Sequence, residues 1–345
     1  MRAGLSVTDL LLPEDAGDLL RVSERILSAL RGKTVLLTGA TGFMGKWLLT
    51  SLALWNDAHA LGVHCLALSR DPGAFLARWP AFRRADVSFL EGDIRQLASL
   101  SLPGKIDMIV HAAADALPNS GAEEMRDVIV GGTEATLCVA DRCRASRYLY
   151  VSSGAVYGLM SCPAREDDDC RPEGVYGCAK REAEERCLAR AADGSLFSTT
   201  VARCFAFAGP WLPLDRFAVG NFIRDRLAGR TIAILGDGED VRSYMYPTDM
   251  VLWLWTVLSL GRAGNVYNIG AEDGATLAEV ARLVARGEVR VRIEGNSDYG
   301  NGTRKMYLPC TDKARRELGL ADAMPLGTVL ERSCTWHQLH ADRLR

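Results

Sequence analysis

Apolar positions fall first into a loose helical rhythm and then into short dense runs. Leu10, Leu11, Leu19, Leu20, Ile26, Leu27 and Leu30 recur at helical spacing, so residues 5–31 read as amphipathic helix, interrupted early by Pro13. From residue 33 the pattern changes. Apolar runs at 34–38, 63–68, 87–90, 108–112, 148–152 and 199–202 have the length of buried strands, and helical patterns such as 46–55 separate most of them. Short apolar strands alternating with helices predict parallel βαβ units, that is, a doubly wound α/β sheet with helices on both faces. After Arg203 the loops lengthen and gain Gly and Pro, as in AGPWLPLDRF and LGDGEDVRSYMYP, which predicts a smaller second lobe. Residues 249–260 read as a buried helix with Trp253 and Trp255 in the core. The expected division is a helical extension over 1–32, a main domain over 33–202 to which 245–268 return, and a smaller α/β lobe from 203–244 and 269–345.

Composition narrows the function. With 345 residues, 48% of them hydrophobic and 24% charged, the chain has the make-up of a folded protein, not a disordered one. Lys plus Arg total 41 and Asp plus Glu 43, so a net charge of -2 offers no footprint for nucleic acid or an anionic membrane. No apolar run reaches the roughly 18 residues of a membrane span. The first twenty residues put Pro and acids where a signal peptide would need an apolar core. Ten Cys are scattered without a C-x-x-C pair, which argues against zinc and a disulfide framework and fits reduced thiols in the cytoplasm. His337 and His340 could share a helix face, but no thiol or carboxylate set accompanies them, so no metal is expected.

Directly after the first strand comes Gly39-Ala40-Thr41-Gly42-Phe43-Met44-Gly45. Glycine lets the backbone turn sharply and approach a pyrophosphate, and the helix that follows offers free N–H groups at its positive end. Strand, Gly turn and helix together predict a Rossmann-type site for NAD(P). At the end of the second strand, Ser69 replaces the acid that would bind the adenosine ribose hydroxyls, and Arg70 can pair with a 2′-phosphate, which leans towards NADP. A solvated surface Arg is the plain alternative. Asp93, followed by Ile94, can accept from the adenine amino group or merely cap its loop. His111, Ala112 and Ala113 follow the fourth strand, where small side chains leave room for the nicotinamide ribose; the His is expected to pack, not to catalyse.

Tyr176-Gly177-Cys178-Ala179-Lys180 places a phenol and an ammonium on one helix face. A nearby ammonium favours the phenolate and lowers its pKa from about 10, so Tyr176 can act as general base on an alcohol. Upstream, Ser152 and Ser153 in VSSGAVYG end the fifth strand, where a hydroxyl can bond the reacting oxygen.

These motifs, with EGDI, HAAA, ARCFAFAGP, GDGEDVRSYMYPTDM, YNIG and TDKARRELGL, resemble an extended short-chain dehydrogenase/reductase of the NAD-dependent epimerase/dehydratase family, over residues 33 to about 320. The resemblance implies a Rossmann domain with a small C-terminal substrate lobe, a nucleotide-diphosphate sugar as substrate, and a homodimer through helices near 121–145 and 176–192. It implies Tyr176 as base, Lys180 as its partner and ribose anchor, and Ser153, four residues before Tyr157, as the oxygen-orienting hydroxyl, with Ser152 the lesser alternative. It further implies Arg242 and Asn221 as diphosphate contacts, a lobe-stabilising ion pair and a turn Asn being the alternatives.

Two departures narrow the chemistry. Gly154 and Ala155 stand where the family's 4,6-dehydratases carry Asp and Glu, and Gly and Ala cannot transfer protons. A dehydratase or decarboxylase would need a carboxylate from elsewhere, such as Asp115 or the 166–169 run, which reads as a solvated loop face. Ala206 replaces a frequent Asn at a phosphate contact. The expected function is therefore a nucleotide-sugar epimerase that transiently oxidises a sugar hydroxyl, at C4, using a tightly bound nicotinamide cofactor. An NADPH-dependent keto-sugar reductase and a non-catalytic nucleotide sensor are the alternatives.

Overall fold

The computed structural model describes residues 5–102, 104–114, 121–192, 197–295 and 305–341. They form two compact units: the chain up to Gly158 with Asp169–Cys204 and Val251–Tyr267, and Leu159–Asp168 with Phe205–Met250 and the chain from Asn268 onward. Two segments depart from the expected division. Residues 5–32 belong to the first unit, and 159–168 to the second.

The first unit opens with a 3-10 turn, Val7–Leu10, then helices α1 (Pro13–Leu19) and α2 (Glu24–Leu30). The single amphipathic helix expected here is thus three pieces. Pro13 takes the first turn of α1, where its missing N–H costs nothing, and the chain re-enters a helix only after Ser23. Leu20, in the break, is exposed, while the other five leucines and the isoleucine of the pattern are buried. The Trp55 indole N–H donates to Leu19 O at 2.8 Å and ties the segment to the main fold.

There follow β1 (Thr34–Thr38), α3 (Phe43–His59), β2 (His64–Ser69), α4 (Pro72–Arg78), β3 (Val87–Glu91) and β4 (Met108–His111). Helix α5 (Ala122–Arg126) runs through a π turn, Asp127–Gly131, into α6 (Gly132–Cys143). Then come β5 (Arg147–Ser153), α7 (Gly174–Ala192) and β6 (Ser198–Cys204). The strands lie where the apolar runs lie, extended at most by a few residues. Apart from the half-buried edge strand β3, their interiors are buried on both faces, as a parallel sheet covered by helices requires; β1 is buried from Val35 onward. Leu36, Ile109, Tyr148 and Val201 from the sheet pack with Ile129, Leu137, Ala183 and Cys187 from the helices, each large side chain contributing about 1.5–3 kcal/mol.

The second unit holds α8 (Ala218–Leu227), β7 (Ile232–Ile234) and β8 (Val241–Arg242). Helix α9 (Pro247–Leu260) and strand β9 (Asn265–Ile269) run across the boundary between the units. The unit continues with β10 (Ala275–Thr276), α10 (Leu277–Ala285), β11 (Val291–Ile293), β12 (Met306–Tyr307), α11 (Asp312–Leu318) and α12 (Leu326–Leu339). The main sheet has seven strands in the order β3-β2-β1-β4-β5-β6-β9, and its reversal of winding beside β1 makes it a doubly wound, Rossmann-type sheet. Two small sheets, β10-β8-β12 and β11-β7, complete the fold. No helix among the described residues is long and apolar enough to cross a membrane.

Candidate active site

The turn after β1 is built on close backbone approach. Gly39 has φ +70°, and a Cβ there would lie 2.7 Å from the Ala112 backbone. A Cβ on Gly45 would lie 2.2 Å from Gly39 O, so α3 packs directly on the turn. Gly42 is the N-cap of α3 and no side chain caps that terminus. Thr41, Phe43 and Met44 are part-exposed around it. The positive end of a seventeen-residue helix is therefore open to an anion, as a dinucleotide diphosphate requires.

Beside it, Ser69 Oγ accepts from Asp71 N at 3.2 Å, and the Asp71 carboxylate caps α4 by accepting from Ala74 N at 2.8 Å. Arg70 is exposed. Asp93 caps the turn that begins at Ile94, and Arg95 grips its carboxylate at 2.7 and 2.9 Å. Those bonds hold the Asp93 pKa down at about 2. The loop-capping role is thus filled, and an adenine amino group would share an already occupied carboxylate.

His111 packs, as its setting suggested. Its ring is fully buried, with Nδ1 2.8 Å from Thr38 Oγ1 and Nε2 3.1 Å from Thr133 Oγ1. Burial, aided by Lys180, pulls its pKa to about 3 and keeps the ring neutral. The side chain is therefore closed to a cofactor. Ala112 meets the cofactor turn through its backbone, and Ala113 N donates to Thr38 Oγ1 at 3.2 Å.

At the end of β5 the Ser153 hydroxyl accepts from Ala155 N at 3.2 Å and hydrogen-bonds the Tyr176 phenol. Ser152 Oγ is buried with no hydrogen-bond partner among the described residues. Lys180 is buried one turn beyond Tyr176; its Nζ donates to Val151 O at 2.8 Å and lies 4.9 Å from the ring centre of Tyr150 and 6.0 Å from that of Tyr176. One expectation needs correction here. Burial raises the Tyr176 pKa, a rise that the Ser153 bond only partly opposes, and the Lys180 ammonium is turned to a backbone carbonyl. Burial in turn lowers the Lys180 pKa to about 8.

The sequence reading missed what holds this helix. Glu184, four residues beyond Lys180 on the same face, is fully buried and takes Arg203 Nη2 at 2.9 Å and Arg181 Nη1 at 3.2 Å. The Arg203 guanidinium also lies 4.7 Å from the Tyr157 ring centre. The i, i+4, i+8 spacing from Tyr176 was the available signal. Lys46, just after Gly45, was missed as well; it is buried, with Nζ 3.1 Å from Thr41 O.

The second unit carries the other two expected residues. Asn221 lies in the first turn of α8, its N–H donating to Phe217 O at 2.9 Å. Arg242, on β8, donates to Val241 O at 2.9 Å, pairs with Asp240 at 3.4 Å and lies over Tyr307 at 5.7 Å. The 166–169 run is engaged locally: Glu166 accepts from Asn268 N, Asp168 from Arg165 N, and Asp169 pairs with Arg171. Asp115 lies outside the described residues.

A Rossmann-type sheet, an uncapped Gly turn and a bonded Ser–Tyr pair with Lys one turn on define an enzyme of the extended short-chain dehydrogenase/reductase type. A family model, NAD dependent epimerase/dehydratase family, matches residues 35–270. The chain belongs to that family. It is 28% identical over 318 residues to a dTDP-glucose 4,6-dehydratase of Streptomyces griseus, covering 89% of this chain and 94% of that one. It is 27% identical over 349 residues to UDP-glucuronate 4-epimerase 4 of Arabidopsis thaliana, covering 92% and 78%. Among solved structures, DesIV, a dTDP-glucose 4,6-dehydratase from Streptomyces venezuelae with NAD bound, superposes with a TM-score of 0.76 at 25% identity, covering 90% and 98%.

Proposed function

We propose that the protein epimerises a nucleotide-diphosphate sugar, at C4, by transient oxidation. The observation that carries this reading is the Ser153–Tyr176 hydrogen bond with Gly154 and Ala155 beside it. The site has the groups for alcohol oxidation and, at those two positions, nothing to drive loss of water. Relatives that are 4-epimerases and relatives that are 4,6-dehydratases share the oxidation step, and the missing acid pair favours the former.

Tyr176, its oxygen already bonded to Ser153, takes the proton of the sugar hydroxyl as general base. Ser153 donates to the oxygen that becomes the ketone. The open turn at Gly39–Gly45 would hold the diphosphate of a nicotinamide dinucleotide, which would supply a reversible hydride acceptor. The small side chains at 154 and 155 leave room for the ketone to turn over, and Tyr176 gives the proton back. Lys180 would hold the ribose hydroxyls of that cofactor, and its ammonium, 6.0 Å from the Tyr176 ring centre, would favour the phenolate form. Arg242 and Asn221 would hold the diphosphate, Arg242 through its guanidinium fork.

The test is incubation of the purified enzyme with UDP-glucuronate, UDP-glucose and dTDP-glucose, with products read by NMR. A C4 epimer is expected from one of them, and Tyr176→Phe should slow its formation roughly 10²–10⁴-fold while leaving dinucleotide binding intact. A 4-keto-6-deoxy product, or a Tyr176→Phe enzyme of unchanged rate, refutes the reading. Arg70 favours a second reading, an NADPH-consuming keto-sugar reductase. Stoichiometric loss of reduced-nicotinamide absorbance on addition of a 4-keto sugar nucleotide would select it.

A further inference from the structure

We infer that the second unit carries a binding site for a phosphate monoester, in the cleft between α8, α10 and α12, with Arg226, Arg282 and Arg286 taking the phosphate and Leu283 and Leu330 lying beside the organic group.

The cleft has a volume of about 420 Å³, within the roughly 300–1,000 Å³ typical of small-molecule sites. Its walls bring three guanidinium groups together in a chain whose net charge is -2. Arg226 comes from the last turn of α8, Arg282 from the last turn of α10, and Arg286 directly follows α10. The facing wall is the start of α12, where Gly327 has nothing within 4 Å of an added Cβ and so leaves the entrance clear.

Two of the cations have acidic partners, and the site stays cationic in spite of them. Arg226 spends Nε and Nη2 on Glu288, at 3.2 and 2.8 Å, and Arg286 spends Nη2 on Glu331, at 2.9 Å. Arg282 is exposed and forms no ion pair among the described residues. A guanidinium has five N–H donors, so one carboxylate does not exhaust it. The Arg226 side chain is only 10% exposed and touches the buried Cys334 thiol, so its charge is already desolvated and held in place before any ligand arrives. Glu331 is the carboxylate on the wall itself. It is 54% exposed and can turn to water while a phosphate takes its place on Arg286. A phosphate monoester brings nearly two charges and three acceptor oxygens, where a carboxylate brings one charge and two.

The rest of the cleft distinguishes an ester from the bare ion. Inorganic phosphate would occupy a small part of the volume and leave the leucines untouched. Leu283 is 46% exposed on the wall, a large apolar side chain with nothing to cover it among the described residues, and the buried Leu330 lies across from it on α12. An organic group attached to the phosphate would cover both. The cleft shares no residue with the Gly turn, the Ser153–Tyr176 pair, Asn221 or Arg242, so the inference stands apart from the functional reading.

The test is calorimetric titration of the full chain with glucose 6-phosphate and with inorganic phosphate. The ester is expected to bind with a dissociation constant below about 1 mM, at least about tenfold tighter than inorganic phosphate. Arg282→Gln, at an exposed position without an ion pair, should weaken the ester about tenfold. Glu331→Gln removes the competing carboxylate and should tighten it about threefold, a gain that damage to the fold cannot produce. Arg242→Gln, outside the cleft, should leave the affinity for the ester as it is. Absence of saturable heat overturns the inference, as does unchanged affinity in Arg282→Gln or weaker binding in Glu331→Gln. A loss in Arg242→Gln would place the ester in the sugar-nucleotide site and overturns it too. Equal affinity for inorganic phosphate would show that the leucines add nothing and overturns the assignment to an ester.

Discussion

Replacing Glu184 by Gln keeps the shape of the side chain and removes its charge. Glu184 is fully buried, and Arg203, 3% exposed at its side chain, reaches its two oxygens with three contacts at 2.9, 3.1 and 3.2 Å. Gln retains one acceptor but turns an amide N–H₂ towards the guanidinium, so Arg203 stays buried with its charge uncompensated. Breaking a buried pair in this way costs about 3–5 kcal/mol, and the retained acceptor places Glu184→Gln near the lower figure. Arg203→Met strands the carboxylate instead, and Arg181, already bonded to Glu184 at 3.2 Å, offsets part of the loss. The double variant removes both charges, so its stability should lie near that of the milder single variant, a coupling of at least about 2 kcal/mol. Urea unfolding of wild type, both singles and the double, followed by tryptophan fluorescence, yields that coupling directly. Additive losses of under about 1 kcal/mol each would refute the claim that this pair holds α7, and with it Tyr176 and Lys180, against the sheet.

Two glycines of helical backbone should respond to Ala with opposite signs. Gly17 in α1 has nothing within 4 Å of an added Cβ, so Gly17→Ala should stabilise by about 0.5–1 kcal/mol. Gly45→Ala drives a methyl to 2.2 Å from Gly39 O and should destabilise by about 1–3 kcal/mol despite the better helix propensity; melting temperatures moving the same way for both would show that propensity, not packing, governs the turn. Acid should weaken the fold before the carboxylates titrate. Burial holds His111 near pH 3 and His337 near 4, below the unfolded value of about 6.5, so their neutral forms contribute full stability above pH 6.5 and lose it as the pH falls. At pH 5 each should cost about 2 kcal/mol, and His337→Gln should halve the slope of stability between pH 6.5 and 5 in urea titrations; an unchanged slope would mean that His337 is protonated in the folded protein.

The parallel strands were legible because a strand buried on both faces is a continuous apolar run, and TVLLT or HCLALS can be little else after a helix ends. β9 was not read as a strand: Asn265-Val266-Tyr267-Asn268-Ile269 mixes polar and apolar positions, and Asn268 is buried only because its side-chain amide donates to Ala164 O and Cys310 O, partners a hundred and more than forty residues distant. The two- and three-residue strands of the second unit are shorter than any periodicity can register. The N-terminal leucines misled for the opposite reason: three short segments that pack on the same core keep a helix-like spacing without forming one helix. In the candidate site, the spacing of Tyr176 and Lys180 on one helix was legible and the direction of the side chains was not. Tyr176 and Lys180 are four apart in any helix, but that Lys180 faces a carbonyl is settled by the path of β5.

The two buried lysines of the first unit share one arrangement. Lys46 Nζ rests on Thr41 O and Lys180 Nζ on Val151 O, and each is held near pKa 8 by burial, with no carboxylate in ion-pair contact among the described residues. Their anchors emerge at one edge of the sheet. β1 pairs with β4 at Thr38 and His111, and β4 with β5 at His111 and Tyr150, so the Gly turn and Val151 lie two strands apart, about 10 Å. A dinucleotide stretched across that edge offers phosphate at one end and ribose hydroxyls at the other, the groups that bare ammonium ions bind. A lysine kept for structure weakens the empty fold when it becomes Met, because its hydrogen bond and stem packing are lost together. A lysine kept for a ligand strengthens it, because the desolvated charge was a liability until the ligand came, and binding sites commonly carry such strain. The pairing of each ammonium with a single carbonyl, where folding supplied Arg203 with a carboxylate, predicts that Lys46→Met and Lys180→Met each raise the melting temperature of the empty protein; a fall in either would put that lysine in the first group.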